Sequence, residues 1–218
     1  MAAFDGFPEA ALDFYDDLET DNTRSFWASN KAVYESAVRD PMVALLAGLE
    51  PEFGPGKIYR PYRDVRYAKD KTPYKTQQGG FVATGDSTGW YVQVDARGVT
   101  VGAGCYAMAA KPLGRFRDAI VDNRRGRQLE AIVSELTGSG WQLGGDQLKT
   151  TPRGYDAAHP RIALLRHKSI YVSTSYGFSP FIHTGELLDR VAQDWRAGRP
   201  LLDWLSGNLS DLSDNKVS

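Results

Sequence analysis

Apolar residues recur at helical spacing near both ends of the chain and at every second position through its middle. Ala11, Leu12, Tyr15 and Leu18 share one helical face behind Pro8, and a proline costs little at a first helical position because that N–H has no partner inside the helix. Asp21, Asn22 and Thr23 are cap-type residues ahead of a second helix, whose apolar stripe is Phe26, Trp27, Val33, Tyr34 and Val38. Asp40 and Pro41 read as a cap followed by a first-turn proline. They predict a separate third helix to about Glu50, with Met42, Leu45, Leu46 and Leu49 inside. The breaker cluster from Glu52 to Gly56 ends this region.

The period then changes to two. Lys57 to Tyr67 reads as a strand, with Pro61 placing it at a sheet edge or a bulge. Gly80 to Thr84, Trp90 to Asp95 and Val99 to Tyr106 read as three more, the last two joined by a turn at Ala96, Arg97 and Gly98. Strands this close in sequence pair antiparallel, since a parallel return needs a crossover. Helical spacing returns over Leu113 to Val121 and Arg127 to Leu136. A strand is expected within Trp141 to Thr150, a short helix at Arg161 to His167 and a β-rich run at Ile170 to Tyr176. Thr184 caps a helix carrying Leu187, Leu188, Val191 and Trp195, and Pro200 opens a last one with Leu201, Leu202 and Leu205. The fold class is α+β: a mainly antiparallel sheet flanked by helices, with N-terminal helices, a β-rich middle and C-terminal helices. No internal repeat or long linker interrupts it. Residues 1–209 therefore read as one domain and the polar residues 210–218 as a disordered tail.

Composition adds bounds to this picture. A hydrophobic fraction of 42% over 218 residues supports a core that needs no disulfide or metal as a staple. The single cysteine, Cys105, excludes an intramolecular disulfide and fits a reducing compartment. Residues 1–21 are acidic, hold no Lys or Arg, and lack the basic start and apolar run of a secretory signal. The apolar runs are too short to span a bilayer. A cytoplasmic protein without membrane association is expected.

The net charge of −1 hides an asymmetry. Between Lys57 and Lys75 there are seven basic residues and two acidic ones, a local +5 that leaves −6 for the rest. The near-neutral total argues against general nucleic-acid binding, whereas the patch suits a small anion. Arginine offers a planar fork of donors for carboxylate or phosphate, lysine a point charge, and the interleaved Tyr62, Tyr67 and Tyr74 offer rings that stack and hydroxyls that bond. Arg60, Arg63, Arg66, Lys69, Lys71, Tyr74 and Lys75 are the candidate ligand-binding residues, joined by Arg166 and Lys168 further on. If alternation holds, Arg63 shares an apolar face with Tyr59, Val65 and Tyr67. It is then expected to be buried and paired with a carboxylate other than Asp64, at a cost of about 3–5 kcal/mol if the pair is broken. The same stretch also reads as a salt-bridged strand lying against the acidic first helix.

Asp64, Asp70 and His159 are candidate acids or bases; His159 sits in a loop behind Gly154 and Tyr155, where functional residues concentrate. The plainer reading makes Asp156 or His159 a helix cap and His167 and His183 satisfied structural histidines. No zinc spacing, phosphate loop, dinucleotide loop or nucleophile elbow is present, so no metal or cofactor is expected.

The run Arg60-x-x-Arg63-Asp64-x-Arg66-Tyr67-x-x-Asp70-Lys71-x-Pro73-Tyr74-Lys75 resembles the signature of a widespread microbial family of uncharacterised proteins, known as a conserved domain of unknown function. Phe4-x-Gly6-Phe7, Asn22 to Trp27 with Asn30, Lys31 and Tyr34, Gly102 to Tyr106, Leu113 with Arg117, Gly154-Tyr155, His159-Pro160 and Leu165-Arg166-x-Lys168 follow the same family in order. The resemblance extends to about Leu205. Tyr67 departs from the phenylalanine more often expected there. The resemblance implies a shared fold and a shared site, and no activity. The function expected is a binding module for a small, phosphate-bearing anion. An enzyme acting on such a ligand, or a structural interaction domain, are the alternatives.

Overall fold

The computed structural model describes residues 3–67 and 69–210, so the tail expected over 210–218 lies outside the described residues from 211 onward. Helix α1, Glu9–Thr20, follows Pro8 and buries Ala11, Leu12, Phe14, Tyr15 and Leu18. Helix α2, Arg24–Val33, is capped by Thr23, whose hydroxyl accepts the Phe26 N–H at 3.2 Å. The expected break before Asp40 is absent. A π-helical segment, Tyr34–Arg39, leads straight into α3, Asp40–Phe53. Proline within a helix lacks a donor and crowds the carbonyl four residues back. The wider π turn immediately upstream of Pro41 eases that crowding, so the chain passes through. Tyr34, Ala37 and Val38 are buried in this segment, whereas Val33, expected in the apolar stripe, is exposed.

The strands are β1 Gly56–Ile58, β2 Gln77–Gly85, β3 Thr88–Asp95, β4 Gly98–Cys105, β5 Gln142–Gly144 and β6 Ile170–Gly177. They form a six-stranded sheet in the order β1-β2-β3-β4-β6-β5. β1 runs antiparallel to β2 with Lys57 opposite Phe81, and β5 antiparallel to β6 with Leu143 opposite Val172. The strand expected over Lys57 to Tyr67 is therefore far shorter, although it does lie at the sheet edge. Beyond it only Tyr62 and Tyr74 meet, as an isolated antiparallel bridge. Pro61 and Pro73 interrupt the donors that a longer ladder would need. The strand expected in Trp141 to Thr150 is likewise reduced to β5 and a bridge between Gln147 and His167. Helices α4 Ala110–Val121, α5 Asn123–Gly138, α6 Ile162–Leu165 and α7 Glu186–Leu209 complete the fold. α7 continues through Pro200, which was expected to start a separate helix. Among the described residues, no helix is long and apolar enough to cross a membrane.

The chain divides into two compact units: residues 1–82, 91–101 and 175–194, and residues 83–90, 102–174 and 195–218. In the first, α3 packs so closely on β2 that a side chain at Gly80 would meet Leu46 at 2.9 Å. Phe14, Trp27 and Tyr34 form an aromatic cluster between α1 and α2, with ring centroids 4.7–5.8 Å apart. In the second, Trp90 stacks on Trp195 and Phe116 meets Trp204 edge-on.

Candidate functional site

The loop from Tyr59 to Lys75 belongs to the first unit. Backbone bonds close it as a broken hairpin: the Arg63 N–H donates to the Pro73 carbonyl at 2.9 Å and the Lys75 N–H to that of Pro61 at 2.8 Å. Asn22, just before α2, holds its return arm. The Asn22 amide accepts the Tyr74 N–H at 3.1 Å and donates to the Tyr74 carbonyl at 3.0 Å. The Tyr74 ring lies flat on Trp27, centroids 4.2 Å apart and planes 6° from parallel. Tyr74 is buried there, so it anchors the loop to the aromatic cluster.

Within the loop, charge is largely consumed locally. Arg63 binds the Asp70 carboxylate and the Thr72 hydroxyl. The Thr72 N–H donates to Asp70 as well, and that bond, with the Arg63 guanidinium next, holds the Asp70 carboxyl at about 2. Asp64 takes both ends of the Arg66 guanidinium, at 2.9 and 2.6 Å, which lowers its pKa. Lys71 donates to the Val65 carbonyl at 2.9 Å. Arg63 pairs with a carboxylate other than Asp64, but through the loop and not across an alternating face, and its side chain remains 34% exposed where burial was expected, because the segment is no strand.

Arg60, Lys69 and Lys75 have no ion-pair partner among the described residues. Lys75 stands 5.4 Å from the centroid of the Tyr59 ring, in cation–π contact. Burial, and then the charge of Arg60, lower the pKa of its ammonium. Two cations thus sit close enough to disfavour each other, the arrangement that a bound anion relieves.

Lys75 continues along one face of β2 into Gln77, Gly79 and Phe81. A β-carbon at Gly79 would lie 2.7 Å from the Tyr91 hydroxyl and 3.0 Å from the Tyr59 ring, so glycine lets both tyrosines lie across the strand. The Gln77 amide donates to the Tyr91 hydroxyl at 3.1 Å, which donates to Gln93 at 2.9 Å, which donates to Asp95 at 3.0 Å. Behind the sheet, Tyr34 donates to Gln78 at 2.6 Å and Gln78 donates to the Tyr59 carbonyl at 2.8 Å, fixing Tyr59 from the core side. Charge density pointed to the loop but not to Tyr59, Gln77 and Tyr91. The signal available for them was the polar alternation of Tyr91, Gln93 and Asp95 within β3.

Arg166, Lys168 and His159 belong to the second unit. Lys168 pairs with Asp146 at 3.8 Å, and the Arg166 carbonyl accepts the Leu148 N–H at 2.8 Å. His159 Nδ1 accepts the Arg161 N–H at 3.0 Å ahead of α6, and Asp156 accepts the Ala158 N–H at 2.9 Å, both local capping bonds. His167 is buried, with Nδ1 donating to the Ser169 carbonyl at 2.9 Å and Nε2 accepting from Gln147 at 3.0 Å. A concavity of about 790 Å³ in this unit is lined by Asp86, Thr88, Cys105, Lys111, Arg115 and Ser206. One of about 530 Å³ in the first unit is lined by Glu9, Asp13, Asp16, Phe178 and His183. Neither includes a residue of the Arg60 to Lys75 stretch. Asp13 and Asp16 face this groove.

The family model described as conserved hypothetical protein, DUF2461, matches residues 10–204, which contain the whole loop and the polar face beside it. Among curated proteins, none matches the chain.

Proposed function

As the chain belongs to the DUF2461 family of conserved hypothetical proteins, whose description carries no activity, we propose from the geometry alone that it binds a small phosphate-bearing anion through Arg60 and Lys75 beside Tyr59. One observation carries this reading: Lys75 stands in cation–π contact with Tyr59 and, like Arg60, has no ion-pair partner among the described residues, in a loop whose Arg63, Arg66 and Lys71 are already tied. On this reading Arg63, Arg66, Lys71 and Tyr74 hold the loop's shape, and Lys69 adds charge at its rim. Arg166 and Lys168 take no part. A cytoplasmic location is proposed with it, on the single cysteine.

The carboxylates favour binding over acid–base chemistry. A general base works best with a pKa near the operating pH. Asp70 is held at about 2 and Asp64 is lowered by Arg66, so both stay ionised and weakly basic at neutral pH. The site lies outside both concavities and Arg60 is exposed, so its affinity should be modest and sensitive to salt.

Thermal-shift titration with inorganic phosphate, sugar phosphates and nucleotides tests the reading. Phosphate-bearing compounds should raise the melting temperature, less so as salt is added. Arg60→Ala and Lys75→Ala should abolish the shift while changing unliganded stability by no more than about 0.5 kcal/mol. A wild-type protein indifferent to every compound, or variants that still bind, would overturn it.

A further inference from the structure

Resting on that phosphate-site reading, we infer that the ligand is a nucleotide, its base lying on the Tyr59 and Tyr91 side of the sheet face and its phosphate between Arg60 and Lys75. Three rings stand together there. Tyr59 and Phe81 are near parallel, 25° apart with centroids at 6.4 Å, and Tyr59 and Tyr91 are 6.3 Å apart. Phe81 is buried beneath them, whereas Tyr59 is 37% exposed. An aromatic surface beside cations is the combination that binds unpaired bases, since every base has a π face and a phosphate one sugar away. A sugar phosphate satisfies the cations and leaves the rings wet.

Gln77 adds an edge contact. Its amide nitrogen is committed to the Tyr91 hydroxyl, while its carbonyl oxygen has no hydrogen-bond partner among the described residues. That oxygen can accept an N–H from the edge of a base. The tyrosine hydroxyl chain through Gln93 to Asp95 holds Tyr91 in place, and Gln78 holds the backbone of Tyr59, so the platform is formed before the ligand arrives. A free nucleotide and the 5′ end of a single strand present the same chemistry.

Equilibrium binding to the full chain separates the possibilities, with AMP, CMP, adenosine, ribose 5-phosphate and a 5′-phosphorylated single-stranded hexanucleotide as probes. Stacking one base contributes enough to expect AMP and CMP to bind about ten-fold tighter than ribose 5-phosphate, or more. Tyr59→Leu should bring the ratio of AMP to ribose 5-phosphate affinity down to about one, whatever it does to the phosphate site itself, and Tyr59→Phe should keep the ratio. Adenosine, which needs no variant to fold, should compete with AMP. A hexanucleotide tighter than AMP assigns the ligand to a strand, and one no tighter assigns it to free nucleotides. Equal binding of AMP and ribose 5-phosphate, or adenosine that fails to compete, overturns the base assignment and leaves the phosphate site standing. Failure of ribose 5-phosphate and the nucleotides alike overturns both.

Discussion

Arg161 carries its guanidinium into the second unit at 7% exposure, where it meets Glu130 at 2.7 Å and the Ile120 carbonyl at 3.3 Å. Removing it loses the packing of its stem and two hydrogen bonds, while Glu130, 43% exposed, stays in water, so Arg161→Ala should cost about 2–3 kcal/mol in denaturant unfolding. Arg63→Ala should cost only about 1–2 kcal/mol, the range of hydrogen bonds to a charged group that water still reaches. The sequence points to Arg63 because alternation places it among apolar neighbours. That inference fails once the segment is a loop, since loops have no alternating faces. Arg161 lies in a turn after Pro160 and has no periodic cue at all. Two further residues give testable contrasts. The Tyr15 hydroxyl is buried with no hydrogen-bond partner among the described residues, so Tyr15→Phe should leave stability unchanged or raise it by about 1 kcal/mol. Burial pushes the His167 imidazole down, against the hydrogen bond to the Ser169 carbonyl. The unfolded chain takes up a proton below about pH 6.5 where the folded ring does not. Stability should therefore fall as pH drops through 6.5 toward the lower folded value, and His167→Asn should flatten that slope in urea titrations between about pH 5 and 8.

Elements with a sustained period were legible: α1, β2 to β4 and α5 all lie where apolar spacing puts them. Prolines misled twice. Pro41 and Pro200 read as helix starts, yet the chain continues through both, because buried neighbours on either side stabilise the continuous helix: Val38 and Met42 flank the first, Trp195 and Leu201 the second. A proline still withholds a donor within α7, so Pro200→Ala should raise the melting temperature, by up to about 3 kcal/mol in stability. The loop was legible as charge and not as shape. Its shape depends on Asn22, an attachment 52 residues away in sequence. Asn22→Ala removes two hydrogen bonds and should cost about 2 kcal/mol, and amide exchange should show the return arm at Tyr74 opening before the helices. Tyr74→Ala, which also removes the stack on Trp27, should cost about 3–5 kcal/mol, as large aromatic truncations do. Lys71→Ala should stay within about 0.5 kcal/mol, since its single bond to a backbone carbonyl is solvent-exposed.

For the molecule as a whole, the sheet order has a consequence beyond ligand binding. Its two outer strands, β1 and β5, are three residues each. The middle residue of β1 is Lys57, and Pro55 and Pro61 stand on either side of the strand. A foreign strand docking on that border would find few donors in register and a charge to desolvate, and exposed borders of this kind are where sheets recruit one another. The molecule thus carries its own protection against templated growth. Replacing Lys57 by valine and Pro61 by threonine should lengthen the pairing surface, and the double variant should seed fibrils under mild agitation where the parent stays dispersed, as read by thioflavin fluorescence. Arg60 follows closely in the sequence and Lys75 stands over the Tyr59 ring, so both add positive charge beside the same border, and like charges on a second copy disfavour its approach.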